Sequence, residues 1–294
     1  MPRQKIGIVG VGLMGLGIAS NIVKSGWQLS FLDHPGNQPT DSLTQAGARK
    51  LQSLPEIAAE SDVIILCVTG STEVESILTG ADGLLGSVQA QTCIIDCSTT
   101  VPSSTKKLAA LAADSGANFL DAPMTRTPKE AAQGRLNLIV GGDVLVYEQH
   151  LPLLETFAEN ITHVGPVGSG HAMKLIHNFV SLGFSAILSE AVACSNRADI
   201  DASILNRVLA TGGGSGVVLE RMAPFFLEGD LDSFAFTLSN SLKDISYYNL
   251  MCEDLDANTT LALAVQNLYK TPVERGDGDK FVPQLIDMLS QTDG

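Results

Sequence analysis

The sequence predicts an α/β fold in two parts: a doubly wound, mainly parallel sheet with helices on both faces, then an all-helical domain. Three observations carry this. Short apolar runs alternate with helical patterns from Lys5 to Val164, the order that builds a parallel sheet. A Gly-x-Gly-x-x-Gly turn, Gly10 to Gly15, joins the first run to the first helical pattern. After Gly165-Pro-Val-Gly-Ser-Gly170 the strand signals stop and only helical patterns follow.

Lys5-Ile-Gly-Ile-Val9 is short, apolar and β-branched, and reads as a buried strand. Gly10-Val-Gly12-Leu13-Met14-Gly15 follows at once, then a helical pattern through Lys24. Between strand and helix the first glycine permits the tight turn. The second lets the backbone approach a pyrophosphate, and the third lets helix and strand pack closely. The helix start at Leu13 and Met14 offers N–H groups to phosphates. Gln28-Leu-Ser-Phe-Leu32 reads as the second strand and ends in Asp33, eighteen residues after Gly15. An acid there hydrogen-bonds the ribose hydroxyls and repels a 2′-phosphate. This predicts a Rossmann-type domain that binds NAD, with NADP possible because His34 adjoins the acid. A glycine turn beside an unrelated surface aspartate is the plain alternative.

Further strands are predicted at Asp62–Val68, Thr92–Asp96, Asn118–Asp121, Leu136–Val140 and Ile161–Val164, with helices at Ser103–Asp114 and Val144–Phe157. In such sheets ligands bind beyond the carboxyl ends of the strands. Thr69, Ser98, Thr99 and the loop after Asp121 fall there, although hydroxyls at strand ends are also ordinary turn formers. The expected domains are 1–165 and 166–294. The second opens on a long linking helix at about 171–197, with further helices at 201–209, 217–227, 238–254, 258–274 and 281–291, and a break at Gly212–Gly216. Lys174 is the only formal charge between Gly168 and Ser189, and helical spacing places Asn178 on its face. A lone ammonium in an apolar helix needs partners if buried; the plain alternative is a lysine that snorkels to water. The apolar length of this helix predicts packing between the domains and against another subunit, as a homodimer or homotetramer.

Composition narrows the function. With 294 residues, 45% of them hydrophobic, the chain can bury the cores of two domains. A net charge of -14 disfavours nucleic-acid backbones as partners, but not a small anionic substrate held by local cations. Five cysteines without a C-x-x-C pair read as reduced thiols in a cytoplasmic protein with no metal site, Cys93 and Cys97 being packing residues. Met1-Pro-Arg-Gln4 leaves no room for a signal peptide. The run Leu175–Ser189 is too short and too rich in Ser, Asn and His for a membrane span.

Four blocks, in order, resemble the β-hydroxyacid dehydrogenases, the 3-hydroxyisobutyrate dehydrogenase group of the 6-phosphogluconate dehydrogenase superfamily, over essentially the whole chain. They are Gly10–Gly15 with Asn21; Asp121-Ala-Pro-Met-Thr-Arg-Thr127 with Gly134-Arg-Leu136; Gly168-x-Gly-x-x-x-Lys174-x-x-x-Asn178; and Leu242-Lys243-Asp244. The resemblance implies an NAD(P)-dependent dehydrogenase or reductase of the CH–OH class (EC 1.1.1), NAD favoured. Lys174 would be its catalytic lysine and Asn178 a substrate contact. Ser98, Thr125, Arg126, Thr127 and Lys243 would line the substrate site, and Val68, Thr69 and Thr99 would touch the cofactor. Lys174 would serve as general acid–base for the carbinol proton. A free lysine titrates near 10.4, so burial in a domain cleft and the second cation Lys243 are expected to lower it.

The departures are informative. The family's Ser-Gly-Gly is Thr125-Arg126-Thr127 here. The hydroxyl survives, the bare glycine amides do not, and Arg126 brings a planar fork suited to carboxylate, sulfonate or phosphate. Some reductases of sulfonated aldehydes in this group are similar in carrying an Arg-Thr pair. The expected substrate is therefore a small hydroxyacid or semialdehyde with a strong or second anionic group; Arg126 facing solvent or a cofactor phosphate is the alternative. Lys174-Leu-Ile-His177-Asn178 also resembles the motif of 6-phosphogluconate dehydrogenase, but Ser181 stands where that enzyme has its second acid, so decarboxylation is not expected. His171 and His177 read as packing or supporting residues. The rival readings are an imine reductase, which typically lacks this lysine, and a non-catalytic dinucleotide-binding sensor, which would need none of Lys174, Asn178 and Lys243.

Overall fold

The structure is a computed structural model that describes residues 4–290. The chain begins β1 (Lys5–Val9), α1 (Leu13–Lys24), β2 (Gln28–Leu32), α2 (Asp41–Gln45), β3 (Arg49–Leu51), α3 (Leu54–Glu60), β4 (Val63–Leu66) and α4 (Ser71–Thr79). It continues β5 (Cys93–Asp96), α5 (Pro102–Asp114), β6 (Asn118–Asp121), β7 (Met124–Thr125), α6 (Pro128–Ala132), β8 (Leu136–Gly141), α7 (Val144–Leu154) and β9 (Ala158–Gly165). Among the described residues one sheet holds all nine strands, and its path opens β3-β2-β1-β4-β5-β6. That is the Rossmann order, with the connection reversing direction at β1. Beyond β6 the sheet turns antiparallel: β8 pairs with β6 and β7 in that sense and with β9 in parallel.

The central strands read as unbroken apolar runs because both of their faces are buried. Along β4, Val63 and Ile65 join Ile8, Ile18 and Ile22 on one side of the sheet, while Ile64 and Leu66 join Ile57, Val74 and Leu108 on the other. The predicted strands are all present. Two more were not anticipated. Arg49-Lys50-Leu51 is too short and too charged to signal a strand; it forms because β2 presents an open edge, which it pairs from Ser30 to Leu32. Met124–Thr125 is held likewise by β8. At the end of α7 the helix stops at Leu154, and Ala158 already starts β9.

The C-terminal elements are α8 (Ser169–Arg197), α9 (Ala202–Ala210), α10 (Val217–Glu228), α11 (Leu238–Asp254), α12 (Thr260–Glu274) and α13 (Leu285–Ser290). The segment predicted as one helix over 281–291 is a short 3-10 turn, Val282–Gln284, followed by α13, and Gln291 lies outside the described residues. Leu182, Met222, Ile245, Val265 and Tyr269 centre this core. Tyr269 is fully buried, and its hydroxyl is satisfied by donating to the Leu182 carbonyl at 2.9 Å.

The chain divides into two compact units, one ending at Lys174 and one beginning at Leu175. The division falls inside α8 rather than at the Gly165–Gly170 turn, because the first turn of α8 is hydrogen-bonded to the end of β6. The long helix expected at about 171–197 is α8, with 29 residues. The run Leu175–Ser189 was expected to be too short for a membrane span, but the most apolar window of α8 reaches a mean hydropathy of 1.4, which by length and composition is long and apolar enough to cross a membrane. Half of that window is buried inside the protein.

Candidate functional site

Val9, Leu66, Asp96 and Asp121 are in register at the carboxyl edge of the sheet. Every predicted cofactor residue except Asp33 follows one of these strands. Gly10 has φ +94, and a side chain there would strike the Cys67 carbonyl; one at Gly15 would strike the Gly10 carbonyl. A Cβ at Gly12 meets no protein atom within 4 Å. The first and third glycines therefore serve the fold, and the second faces open space. Gly12 caps α1 without a side chain, and the first intrahelical bond of that turn runs from Leu16 N to Gly12 O at 3.0 Å. The N–H groups of Leu13, Met14 and Gly15 precede it and point from a helix start, the arrangement that binds phosphate. These residues fit a dinucleotide. Asp33 follows β2, exposed, with Lys50 Nζ 3.0 Å from its Oδ1. Lys50 was not anticipated, since only the β2–β3 pairing brings it there.

Val68 N–H donates to Ser98 Oγ at 3.1 Å, so the loops after β4 and β5 are joined through a predicted site residue. Thr69 is exposed and Thr99 half-buried on those loops. Below them lies a closed polar cluster. Asp96 Oδ1 accepts from Ser98 N at 2.9 Å, while its Oδ2 is buried without a hydrogen-bond partner. Asp121 accepts from Gly168 N and His171 N, each at 2.8 Å. The fully buried His171 has Nδ1 2.8 Å from both Thr100 Oγ1 and Thr105 Oγ1, and Nε2 3.1 Å from the Ser98 carbonyl. A carbonyl can only accept, so Nε2 carries the proton and Nδ1 accepts from a hydroxyl. The ring is neutral, and its 3.8 Å approaches to Asp96 and Asp121 are not ion pairs. Burial pulls the imidazole down to about 3. Burial also pushes the Asp96 carboxyl up to about 7, with the Asp121 charge adding to it, and Asp121 up to about 6, where backbone N–H donors restrain the rise.

The anion loop is only partly as expected. Thr125 Oγ1 accepts from Asn137 Nδ2 at 3.1 Å. Thr127 caps α6 in a reciprocal capping box with Glu130, so its hydroxyl and N–H already have a structural task. Arg126 has φ +82 and directs Nη1 to the Glu159 carboxylate and the Arg135 carbonyl. Its fork is thus partly engaged within the sheet domain rather than wholly presented to a ligand. Glu159, held below the usual carboxylate range by Arg126, was not foreseen because it lies 33 residues away on β9.

Lys174, half-buried, is three residues past His171 on α8, and Asn178 is one turn further on. In the C-terminal unit Asn178 and Lys243 are brought together by Asp244: Asn178 Nδ2 donates to its Oδ2 at 2.6 Å, and Lys243 Nζ lies 3.1 Å from its Oδ1. The buried Asp244 balances the Lys243 charge locally. His177 is exposed rather than packed, with Nδ1 3.0 Å from Asn178 Oδ1. Among the described residues no group of three or more His, Cys, Asp or Glu is arranged to hold a metal ion.

Strand order, glycine turn and sheet-edge loops define a dinucleotide-binding domain of the Rossmann type. Residues 5–165 match the NAD binding domain of 6-phosphogluconate dehydrogenase, and residues 168–289 match the NAD-binding region of NADP-dependent 3-hydroxyisobutyrate dehydrogenase. The chain belongs to the β-hydroxyacid dehydrogenase family, NAD(P)-dependent oxidoreductases of small hydroxyacids and their semialdehydes. It is similar to 2-(hydroxymethyl)glutarate dehydrogenase of Eubacterium barkeri, 31% identical over 80% of this chain and 79% of that one. Its similarity to 3-hydroxyisobutyrate dehydrogenase of Pseudomonas aeruginosa is 30% identity over 90% of each. The solved 3-hydroxyisobutyrate dehydrogenase of Mycobacterium tuberculosis with L-serine aligns at a TM-score of 0.89 and 25% identity, covering 98% of this chain and 100% of that one.

Proposed function

We propose that this protein is an NAD-preferring dehydrogenase, or the same enzyme run as a reductase, for a small β-hydroxyacid or semialdehyde carrying a second anionic group. The observation that carries this reading is Lys174, placed in the second turn of a helix whose start is tied to the carboxyl edge of a dinucleotide-binding sheet. Hydride exchange is the chemistry a bound nicotinamide supplies. Lys174 gives up or takes the carbinol proton and steadies the developing alkoxide. Ser98, Thr125, Asn178 and Lys243 are the proposed substrate contacts. NADH oxidation against a panel of small aldehyde acids, sulfonated and dicarboxylic ones included, tests the reading; binding of NADH without turnover of any member would leave a dinucleotide sensor instead.

Asp33 supports NAD over NADP, and Lys50 tempers it by offering a cation beside the acid. Lys50→Met is expected to lower kcat/KM for NADPH about fivefold, the scale of one exposed charge contact, with NADH within about twofold. An unchanged ratio in steady-state kinetics would show that Lys50 does not reach the cofactor.

Arg126 supports the second anion. Nη1 is engaged by Glu159 and the Arg135 carbonyl, and a planar guanidinium fork of five donors is suited to a carboxylate or sulfonate as well. One similar enzyme is named for a glutarate, a dicarboxylate. Arg126→Ala is expected to raise KM about tenfold for a dianionic substrate and leave 3-hydroxyisobutyrate within about twofold, the loss of one charged hydrogen bond. Equal KM values for both proteins on every dianion tested would remove Arg126 from the substrate site.

The reading includes a homodimer or homotetramer, supported by an exposed apolar stripe on α8 formed by Ile176, Val180 and Ile187, 43%, 65% and 55% exposed; a monomeric mass by light scattering would count against it. It also includes a reducing, cytoplasmic setting, consistent with five free cysteines.

A further inference from the structure

The start of α8 poses a physical problem. The first N–H groups of a helix have no partner within it, and the residue before Ser169 is Gly168, with no side chain to cap them. The acceptor comes from another element: the Asp121 carboxylate at the end of β6, one oxygen to Gly168 N and the other to His171 N. The approach is so close that a Cβ at Gly170 would lie 2.6 Å from the Asp121 carbonyl oxygen.

The same turn carries His171, whose ring ties three segments together. Nε2–H donates to the Ser98 carbonyl, and Nδ1 meets the hydroxyls of Thr100 and of Thr105 in the first turn of α5. Asp96 fixes Ser98 from the other side through its N–H. One buried imidazole thus sets the distance between the Ser98–Thr100 loop and the turn that leads into Lys174.

We propose that Asp121 and His171 are positioning residues for the reaction: together they seat the Lys174 turn of α8 against the Ser98 loop, so that the acid–base group and the hydroxyl loop keep one geometry. A misplacement of about 1 Å at a reacting group costs on the order of 100-fold in rate, so this role is read in kcat. The proposal rests on Lys174 being the acid–base residue.

The test uses the full-length chain. His171→Leu and Asp121→Asn should lower kcat at least tenfold, a larger factor than the change in KM or in the NADH dissociation constant. His171→Gln, which keeps a donor for the Ser98 carbonyl, should recover much of the loss. Amide hydrogen exchange should rise in both damaging variants at residues 98–105 and 168–175 and not across the sheet. Folded variants with unchanged kcat overturn the proposal. So does a loss spread equally over kcat, KM and global exchange with no recovery by glutamine, which marks a merely structural role. Should His171→Leu fail to fold, Asp121→Asn and His171→Gln decide by the same readouts. If Lys174→Ala is as active as wild type, the functional reading fails first, and the exchange pattern alone then judges whether the turn is seated as described.

Discussion

Lys174→Ala is expected to lower kcat/KM about 1,000-fold, with NADH binding within about twofold of wild type. Positioned proton transfer is worth roughly 10²–10⁴ in rate, and a thousandfold is about 4 kcal/mol of barrier. Binding survives because the groups that fit the dinucleotide belong to the α1 start and the strand-end loops, not to α8. Lys174→Arg separates charge from proton transfer. A guanidinium keeps the positive charge but does not release its proton near neutral pH. Arginine should therefore rescue substrate KM and not kcat. Activity within tenfold of wild type in Lys174→Ala would remove the acid–base role, and loss of NADH binding alongside activity would make the lysine structural. The same pair of measurements separates an enzyme from a sensor, since a sensor has no turnover for Lys174 to support.

The legible parts of this molecule are those in which neighbouring residues in sequence decide the outcome. The glycine turn is local, and each glycine reports its own constraint: Gly10 by its φ, Gly15 by close packing, Gly12 by the open space beside it. The runs Val63–Leu66 and Cys93–Asp96 announce themselves because both faces of each strand are covered. The Thr127 cap is legible too: Thr-Pro-Lys-Glu carries the capping-box spacing, and the hydroxyl expected at the anion caps α6 instead. Other features are set by distant pairings that leave no local trace. Arg126 meets Glu159 because β8 pairs with β7 on one side and with β9 on the other. Lys50 meets Asp33 because a three-residue charged segment forms an edge strand. His171 finds Ser98 and Thr100 from more than 70 residues away, and nothing beside it in the sequence names those partners. Asp244 stood within a recognised block, yet its task of joining Asn178 to Lys243 needs α8 and α11 side by side.

The buried cluster makes stability depend on pH in a direction that is unusual for a carboxylate. Asp96 holds its proton to about pH 7 in the folded protein, against about 4 when the chain is unfolded. The folded state therefore keeps a proton that the unfolded state has lost. The stability this contributes is fully present below pH 4 and is lost as pH rises through 7. His171 acts oppositely: its folded value near 3 lies below the unfolded 6.5, so its contribution is present above 6.5 and lost in acid. A wild-type pH curve mixes these two with Asp121, which burial raises to about 6 and which acts in the same sense as Asp96; the difference between wild type and Asp96→Asn reports the part that depends on Asp96. Asparagine keeps the acceptor for Ser98 N, places an amide where the unpartnered Oδ2 lies, and cannot ionise. At pH 5.5, where Asp96 is protonated, the variant should melt close to wild type. At pH 8.5 wild type must bury a second negative charge near Asp121, and the variant should be more stable by about 2 kcal/mol, or roughly 5 °C in Tm. Melting curves that stay parallel across this range would mean that Asp96 titrates alike in both states, and that its burial is relieved by a group other than those around it here.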